Sequence, residues 1–174
     1  MQGFKMNTAI KAKQAGMTLI EMVLVLVIGT GIIAGGVAYY NSASKAANDK
    51  DLIAGMTSLQ ASARAMAAGS GNYGIGSLNG AMITQSRVPG TLHPSGTSIS
   101  TPGGTSIVVT GATTSFSITT GTATVDECVA MLTNSANFLS YKVGGGSAIT
   151  AVPADPITAN AACATPASVT LTSN

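Results

Sequence analysis

The sequence predicts an α+β protein in which a long N-terminal α-helix packs against a C-terminal antiparallel β-sheet domain. An uncharged apolar run from Met22 to Tyr40 is followed by an amphipathic pattern that continues to Ala68, and this periodicity is typical of a helix. Beyond residue 97, β-branched residues alternate in part with small polar residues between glycine-containing turns. That second pattern is typical of strands.

The first 16 residues, MQGFKMNTAIKAKQAG, are basic and contain three lysines but no acid. The whole chain has 8 Lys and Arg against 6 Asp and Glu. Without this segment, five basic and six acidic side chains would remain. The positive net charge is therefore a property of the N-terminal segment. No cluster of Lys and Arg with interleaved aromatic residues follows it, so no nucleic-acid binding is evident.

The apolar run has the length of a membrane-spanning helix. Met22 to Tyr40 is 19 residues without a charge, and about 20 residues are needed to cross the hydrocarbon core of a bilayer. Glu21 stands directly before the run. A carboxylate at this position costs several kcal/mol unless something offsets it, so we expect Glu21 to have a partner.

Four glycines interrupt the apolar run, at Gly29, Gly31, Gly35 and Gly36. Each costs about 1 kcal/mol of helix propensity relative to alanine. One interpretation is that small residues let membrane helices approach closely. The alternative is that this part of the helix provides flexibility.

The helix is predicted to continue as an amphipathic segment from residue 41 to 68. Its apolar stripe is expected at Ala46, Ile53, Met56, Ala63 and Met66, at spacings that bring these residues to one face. Gly69-Ser70-Gly71 supplies the stop signal. A single helix from Met17 to Ala68 would contain 52 residues and extend over about 78 Å.

The remaining elements are predicted from shorter patterns. Residues 69–97 are read as an irregular connection with at most one short helical piece. TSIVVTG and SFSITTG, joined by Gly111-Ala-Thr-Thr, predict an antiparallel hairpin. DECVAMLTNSANFLSY, residues 126–141, predicts a helix ended by Gly144-Gly-Gly146, and residues 168–172 predict a last strand.

No pattern in the sequence indicates an enzyme, and we expect no catalytic residue, no cofactor and no metal. His93, the only histidine, lies beside Pro94 without an acidic neighbour in sequence to orient it. A nucleophile requires a base within reach, and a metal site requires several convergent ligands. The glycine-rich stretches lack the lysine of a phosphate-binding loop.

The N-terminal pattern resembles the prepilin signature of type IV pilins. It combines the basic leader, Gly16, the sequence Met17-Thr-Leu-Ile-Glu21 and the long apolar run. The resemblance implies prepilin peptidase cleavage after Gly16 and N-methylation of Met17. It also implies an assembly charge pair, in which the Glu21 carboxylate meets the amine of Met17 on a neighbouring subunit. Two opposite charges in a low-dielectric site attract strongly and offset each other's desolvation.

The same resemblance implies the domain organisation. Residues 1–16 would be a removed leader peptide and residues 17–40 a transmembrane and filament-core helix. Residues 41–68 would be the amphipathic half of the helix, and residues 69–174 the globular head domain.

Cys128 and Cys163 are the only cysteines, and type IV pilins carry a disulfide near the C-terminus. A bridge between them would close a loop of about 36 residues and contribute about 3 to 4 kcal/mol in the chain-entropy model. The alternative is two buried thiols. A cysteine-bearing helix within the bracketed region, with methionine at the mature first position, resembles the type IVb branch.

The resemblance also implies partners and localisation. The partners would be other copies of the chain in a helical homopolymer, the prepilin peptidase, the assembly machinery and the inner membrane. The subunit would move from the inner membrane of a Gram-negative bacterium to an extracellular filament. Adhesion, cell-cell contact, bundling, DNA uptake, conjugation and phage reception stay open, with a preference for conjugation or cell-cell adhesion from the hydroxyl-rich, weakly charged surface.

Two alternatives to a major pilin stay open. The chain could be a minor pilin or a pseudopilin of a type II secretion system, with the same N-terminus. More remotely, it could be an ordinary secreted protein cleaved after Ala38, since Gly36-Val37-Ala38 is a small-x-small site.

Overall fold

The computed structural model describes residues 18–174 and contains four helices and seven strands in this range. The chain divides after Ser42 into two compact units. The second, residues 43–174, is called the head unit below. Helix α1 (Leu19–Ala67) runs through the division as one 49-residue helix. The prediction of one long N-terminal helix is confirmed over the described residues.

Hydrogen bonds mark both ends of α1. At its start, the backbone N–H groups of Glu21 and Met22 donate to the carbonyl oxygen of Thr18, over 3.0 and 3.2 Å. At its end, Ser70 and Gly71 donate to the carbonyl oxygen of Ala67, and Gly71 has a φ of 64°. A glycine in this left-handed conformation is the usual way for a helix to stop.

One stripe of α1 forms the helical side of the core of the head unit. It consists of residues three or four apart, which are Leu52, Gly55, Met56, Leu59, Gln60, Ala63 and Ala67. The predicted stripe is wrong in part, because Ala46 is exposed and Ile53 and Met66 are only half-buried. The buried stripe instead includes Leu52, next to Ile53, and Leu59, and burying these two large apolar side chains rotates the stripe.

An antiparallel sheet of seven strands forms the other side of the core. Six strands lie in the order β2-β3-β4-β5-β7-β6, and β1 pairs with β4 beside β3. The strands are β1 (Gly76–Ser77), β2 (His93–Ser95), β3 (Ser98–Ser100), β4 (Ser106–Ala112), β5 (Ser115–Ala123), β6 (Ser140–Val143) and β7 (Ala167–Ser173). The inward side chains of β4, β5 and β7 alternate with mostly polar outward ones, as expected for a sheet covered on one face.

The predicted hairpin is confirmed as β4 and β5, which pair from Ile107 opposite Thr120 to Ala112 opposite Ser115. The turn is shorter than predicted. Gly111 lies within β4, and a Cβ atom there would be 2.7 Å from the carbonyl oxygen of Tyr73. Glycine is thus needed for a close backbone approach, not for the turn.

Residues 69–97 contain more regular structure than predicted. They include β1, helix α2 (Asn79–Thr84) and β2, and the helix agrees with the single helical piece expected. The buried Asn79 side chain fixes α2 on β4. Its Nδ2 donates to the Ile107 carbonyl and its Oδ1 accepts from the Val109 N–H, both over 2.8 Å. These strands depend on tertiary pairing, which local sequence patterns do not report.

The helix predicted for residues 126–141 is wrong in its second half. Helix α3 covers Val125–Thr133 and begins with a capping box between Thr124 and Glu127. After it, the Asn134 amide donates to the Ala130 carbonyl and the Ser135 hydroxyl donates to the Leu132 carbonyl. Such side-chain bonds compete with helix continuation, and the chain enters β6 instead.

Helix α4 (Pro156–Ala162) was not predicted. It has Pro156 in its first turn and Asp155 as its N-cap, whose Oδ1 accepts from the N–H groups of Ile157 and Thr158 over 3.0 Å each. This combination is a known helix start signal. A disulfide joins Cys128 of α3 to Cys163 directly after α4, which confirms the predicted bridge.

Both edges of the sheet are obstructed. Edge strand β2 contains Pro94, which has no backbone N–H to donate. At the other edge, Tyr141 of β6 exchanges two backbone hydrogen bonds with Ile149, over 2.9 and 2.8 Å. Neither edge offers a full row of free backbone groups.

Candidate assembly surface

The apolar half of α1, defined here as residues 19–40, is exposed on all sides. Its large apolar side chains retain half or more of their accessible surface, and these are Leu19, Ile20, Met22, Val23, Leu24, Val25, Leu26, Val27, Ile28, Ile32, Ile33 and Val37. A helix that is apolar all round is stable in water only when something covers it. The segment is therefore a surface for lipid or for other protein chains.

The apolar half of α1 also fits a bilayer by length and composition. Among the described residues, α1 is the one helix long and apolar enough to cross a membrane. Between residues 22 and 38 the only hydroxyl side chain is Thr30, which donates to the Val27 carbonyl over 2.9 Å. The hydroxyl is thus satisfied within its own helix and needs no outside partner.

Glu21 lies in the first turn of α1 with its side chain exposed. A negative charge there is favourable because the N-terminus of a helix carries partial positive charge. Thr18 and Glu21 also have the spacing of a capping box, in which Gln serves as well as Glu. The spacing therefore offers Glu21 a local role at the helix start, beside the intersubunit role that the resemblance implies.

The other predicted site residues divide into two groups. Gly16 and Met17 lie outside the described residues, so the cleavage and methylation predictions stay predictions. Gly29, Gly31, Gly35 and Gly36 lie within continuous α1, and a Cβ atom at any of them would meet nothing within 4 Å. These glycines are therefore not required by packing within the described chain.

The head unit carries a polar depression of about 210 Å³ between α1 and the start of α3. It is lined by Lys45, Asn48, Asp49, Gly103, Thr105, Thr124, Asp126 and Glu127. Burial raises the pKa of Asp49, the negative charges of Asp126 and Glu127 raise it further, and Lys45 opposes them. Among the described residues, no three His, Cys, Asp or Glu side chains are grouped so that they could hold a metal ion.

Two polar residues of α1 hold the end of β7, and the sequence analysis did not single them out. The buried Gln60 amide donates to the Asn137 carbonyl and to the Ser173 hydroxyl. Arg64 donates to the same hydroxyl over 2.9 Å and to the Asn174 carbonyl over 2.8 Å. Gln60 lies on the buried stripe and the exposed Arg64 follows it by four residues, and this spacing was the available signal.

An exposed apolar helix half, continued into a helix packed on an antiparallel sheet and closed by a disulfide, is the architecture of type IV pilins. Residues 46–174 match the family model described as PilS N terminal. Because the match covers most of the chain, this chain belongs to the PilS family and is a type IV pilin.

A solved structure supports the same fold. The crystal structure of TcpA, a type IV pilin from the Vibrio cholerae El Tor biotype, superimposes with a TM-score of 0.55 at 16% identity, over 74% of this chain and 99% of TcpA. At this identity the similarity shows the fold alone. No curated protein sequence matches the chain.

Proposed function

We propose that the chain is a structural subunit that polymerises into a type IV pilus filament, with the apolar halves of α1 packed together inside and the head units outside. The observation that carries this proposal is the apolar span of α1, none of which is buried against the rest of residues 18–174. Each side chain of this size contributes about 1.5 to 3 kcal/mol when it is removed from water. A head-to-tail contact that does not close into a ring gives an open fibre.

The proposal includes the Glu21 charge pair. After cleavage between Gly16 and Met17, the methylated amine of Met17 would be a new positive charge at the start of the apolar helix. The exposed Glu21 carboxylate of a neighbouring copy would meet it in the filament interior. The pair would set the axial register, because an unpaired charge buried there costs about 3 to 5 kcal/mol.

The Glu21→Gln variant tests this role. Gln keeps the capping-box option at the start of α1 but removes the charge. We expect normal membrane insertion and a drop of about tenfold or more in sheared filament yield, since about 1.4 kcal/mol corresponds to tenfold. Glu21→Ala is expected to insert and to assemble as poorly. Asp51→Asn, which removes an exposed carboxylate from the same helix, is the matched control with normal yield.

Two outcomes separate the roles of Glu21. Normal filament yield from Glu21→Gln would refute the charge pair. Loss of assembly in Glu21→Ala alone would instead assign Glu21 to capping its own helix.

The processing steps have a direct test. Mass spectrometry of the mature N-terminus is expected to find a chain that begins at Met17 with a methylated amine. A chain that begins at Tyr39 would identify a conventional exported protein and overturn the proposal. Because the measurement is independent of filament yield, it separates faulty processing from faulty assembly.

We further propose that the glycine-rich part of the apolar half, residues 29–36, loosens when subunits leave the lipid and pack into the filament. The open space around all four glycines supports this, together with their low helix propensity. A filament density map with continuous helix from Met17 to Tyr40 would contradict it.

For the biological role we propose cell-cell adhesion or contact during conjugation. The outward face of the sheet supports this preference, because Thr110, Ser117, Thr172 and Ser140 form one hydroxyl-bearing row across four strands. Such a face carries little charge to oppose lateral association.

The abundance of the chain in sheared filaments separates a major pilin from a minor pilin or pseudopilin, which would be scarce there.

A further inference from the structure

Tyr39 and Tyr40 end the apolar half of α1, and polar residues follow them directly. Their side chains are 79% and 71% exposed, and Asn41 and Ser42 come next. A tyrosine side chain combines an apolar ring with a hydroxyl that seeks a hydrogen-bonding partner. Such residues are enriched where the hydrocarbon of a bilayer meets its headgroups.

The position of Glu21 relative to this pair matches the thickness of a bilayer. Glu21 precedes Tyr39 by 18 residues of continuous helix, which corresponds to about 27 Å at 1.5 Å per residue. The hydrocarbon core is about 30 Å thick. When the tyrosines lie at one boundary of the core, Glu21 therefore lies at the opposite boundary, where headgroups and water solvate its carboxylate.

No charged side chain between these points competes in setting the depth of the helix. The intervening residues 22–38 are apolar or small apart from Thr30, whose hydroxyl is bonded to its own helix. Aliphatic side chains along this stretch have the same free energy at any depth within the hydrocarbon. Therefore only the two ends of the segment can determine how deep the helix lies in the bilayer.

We propose that Tyr39 and Tyr40 form an interfacial anchor that binds the lipid headgroup layer at the C-terminal end of the span and thereby holds Glu21 in the opposite headgroup layer before assembly. This inference rests on the proposed function, in which the subunit first spans a membrane. The anchor would determine when Glu21 is desolvated. The Glu21 carboxylate stays solvated in the lone subunit, and it loses that solvation only when the subunit is extracted from the membrane, where the Met17 amine of a neighbouring copy can replace the water.

The chain contains no tryptophan, so single-tryptophan variants can report the depth of the helix. Ile32→Trp and Val23→Trp are placed separately in the full-length chain, reconstituted in vesicles of bacterial phospholipid. Quenching by lipids brominated at known depths locates each indole. At 1.5 Å per residue, we expect the Ile32→Trp indole about 10 Å inside the Tyr39 boundary and the Val23→Trp indole about 6 Å inside the other.

Replacing the anchor then tests what sets the depth. With Tyr39→Leu and Tyr40→Leu added, the apolar span becomes two residues longer at that end. The helix is expected to slide by about 3 Å, so that the Ile32→Trp indole moves deeper and the Val23→Trp indole becomes shallower. The matched control, Ile33→Leu with Val37→Leu, exchanges exposed aliphatic residues and is expected to leave both depths unchanged.

The outcomes separate this inference from the proposed function. If both indoles keep their depths after the tyrosine replacements, the anchor is refuted while the membrane span stands. If the Ile32→Trp indole lies at headgroup depth in the otherwise unaltered chain, the helix does not span the bilayer. That result overturns both the anchor and the membrane stage of the proposed function.

Discussion

At Gly111, two backbone segments of the head unit approach so closely that no side chain fits between them. A Cβ atom at this position would lie 2.7 Å from the carbonyl oxygen of Tyr73 and 3.0 Å from that of Gly74. Both obstructing atoms belong to the backbone, so a rotamer change cannot relieve the contact. The loop after α1 is thereby held against strand β4.

The Gly111→Ala variant is therefore expected to lose about 1 to 3 kcal/mol of unfolding free energy, the usual cost of overpacking. Gly145→Ala is the matched control, because a Cβ atom there meets nothing within 4 Å. It is expected to be neutral or slightly stabilising. Urea denaturation of the full-length chain in detergent, followed by circular dichroism, measures both. Equal midpoints for the two variants would contradict the close approach.

Asp49 is a residue whose ionised form the fold disfavours. Its pKa is raised above the ordinary value of 3.8, first by burial and then by Asp126 and Glu127. A group with a raised pKa in the folded state binds its proton more tightly there than in the unfolded chain. Its contribution to stability is present below pH 3.8 and is lost as the pH rises through the folded pKa.

Asp49→Asn is therefore expected to raise the melting temperature at pH 7, because it removes the disfavoured charge, and to have little effect at pH 3. Asp51→Asn, on an exposed position of the same helix, is expected to change neither value. Thermal melts of the two variants at both pH values provide the measurement. A lower melting temperature for Asp49→Asn at pH 7 would show that Asp49 is stabilised by its surroundings instead.

At the residue scale, the sequence predicted those features that have a strong local signature. The Cys128–Cys163 pair and the Gly69-Ser70-Gly71 stop signal after α1 are examples. The roles of Gln60, Asn79 and Gly111 were missed because each depends on groups that are distant along the chain. For Asn79 and Gln60 these groups are 28 to 113 residues away. A polar residue in an apolar stripe is the only sequence sign of such a contact.

Among the elements, α3 and α4 depend on each other. Both are short, and the disulfide between Cys128 and Cys163 joins them with both cysteines fully buried. Helices of this length are marginal in isolation. Their persistence therefore depends on packing and on the covalent link.

The Cys128→Ala and Cys163→Ala double variant is expected to lose about 2 to 5 kcal/mol of unfolding free energy. Reduction of the unaltered chain with dithiothreitol is the matched control and is expected to lower stability similarly. Urea denaturation with and without reductant gives both values. If the double variant unfolds at the unaltered midpoint, packing alone holds α3 and α4 together.

Element boundaries were predicted well where a single periodicity extends over many residues, as in α1 and the β4–β5 hairpin. They were predicted poorly between residues 126 and 141. Apolar residues at helical spacing continue there, but the side chains of Asn134 and Ser135 bond the last carbonyls of α3 and end it. Strands β1, β2 and β3 have two or three residues each, which is too short for a period to be recognised.

At the scale of the molecule, the exposed apolar area of residues 18–174 is concentrated in the part before Ser42. The large exposed apolar side chains from Leu19 to Tyr40 precede Ser42, whereas the head unit exposes only Ile75, Val108, Leu139 and Ile157 of this kind. The core residues of α1 begin at Leu52. The head unit therefore contains the complete buried stripe.

A fragment of residues 43–174 is accordingly expected to be monomeric and to keep the disulfide, whereas the full-length chain requires detergent. Size-exclusion chromatography with light scattering measures the mass, and thiol titration checks the bridge. A fragment that forms large assemblies without detergent would place an assembly surface on the head unit.

The long helix and the family were predictable from the N-terminal pattern, because few other sequences combine a basic leader, Gly16, Glu21 and a long apolar run.

The obstructed edges of the sheet have a consequence for a polymer built from many copies. Pro94 at one edge and the Tyr141–Ile149 bonds at the other interrupt the row of free backbone groups that a neighbouring strand would need. These features oppose the fusion of neighbouring sheets into an amyloid-like stack at the local concentrations inside a fibre. In the proposed filament, contacts between head units are therefore expected to use side chains, and a subunit is expected to leave the polymer with its backbone pairing intact.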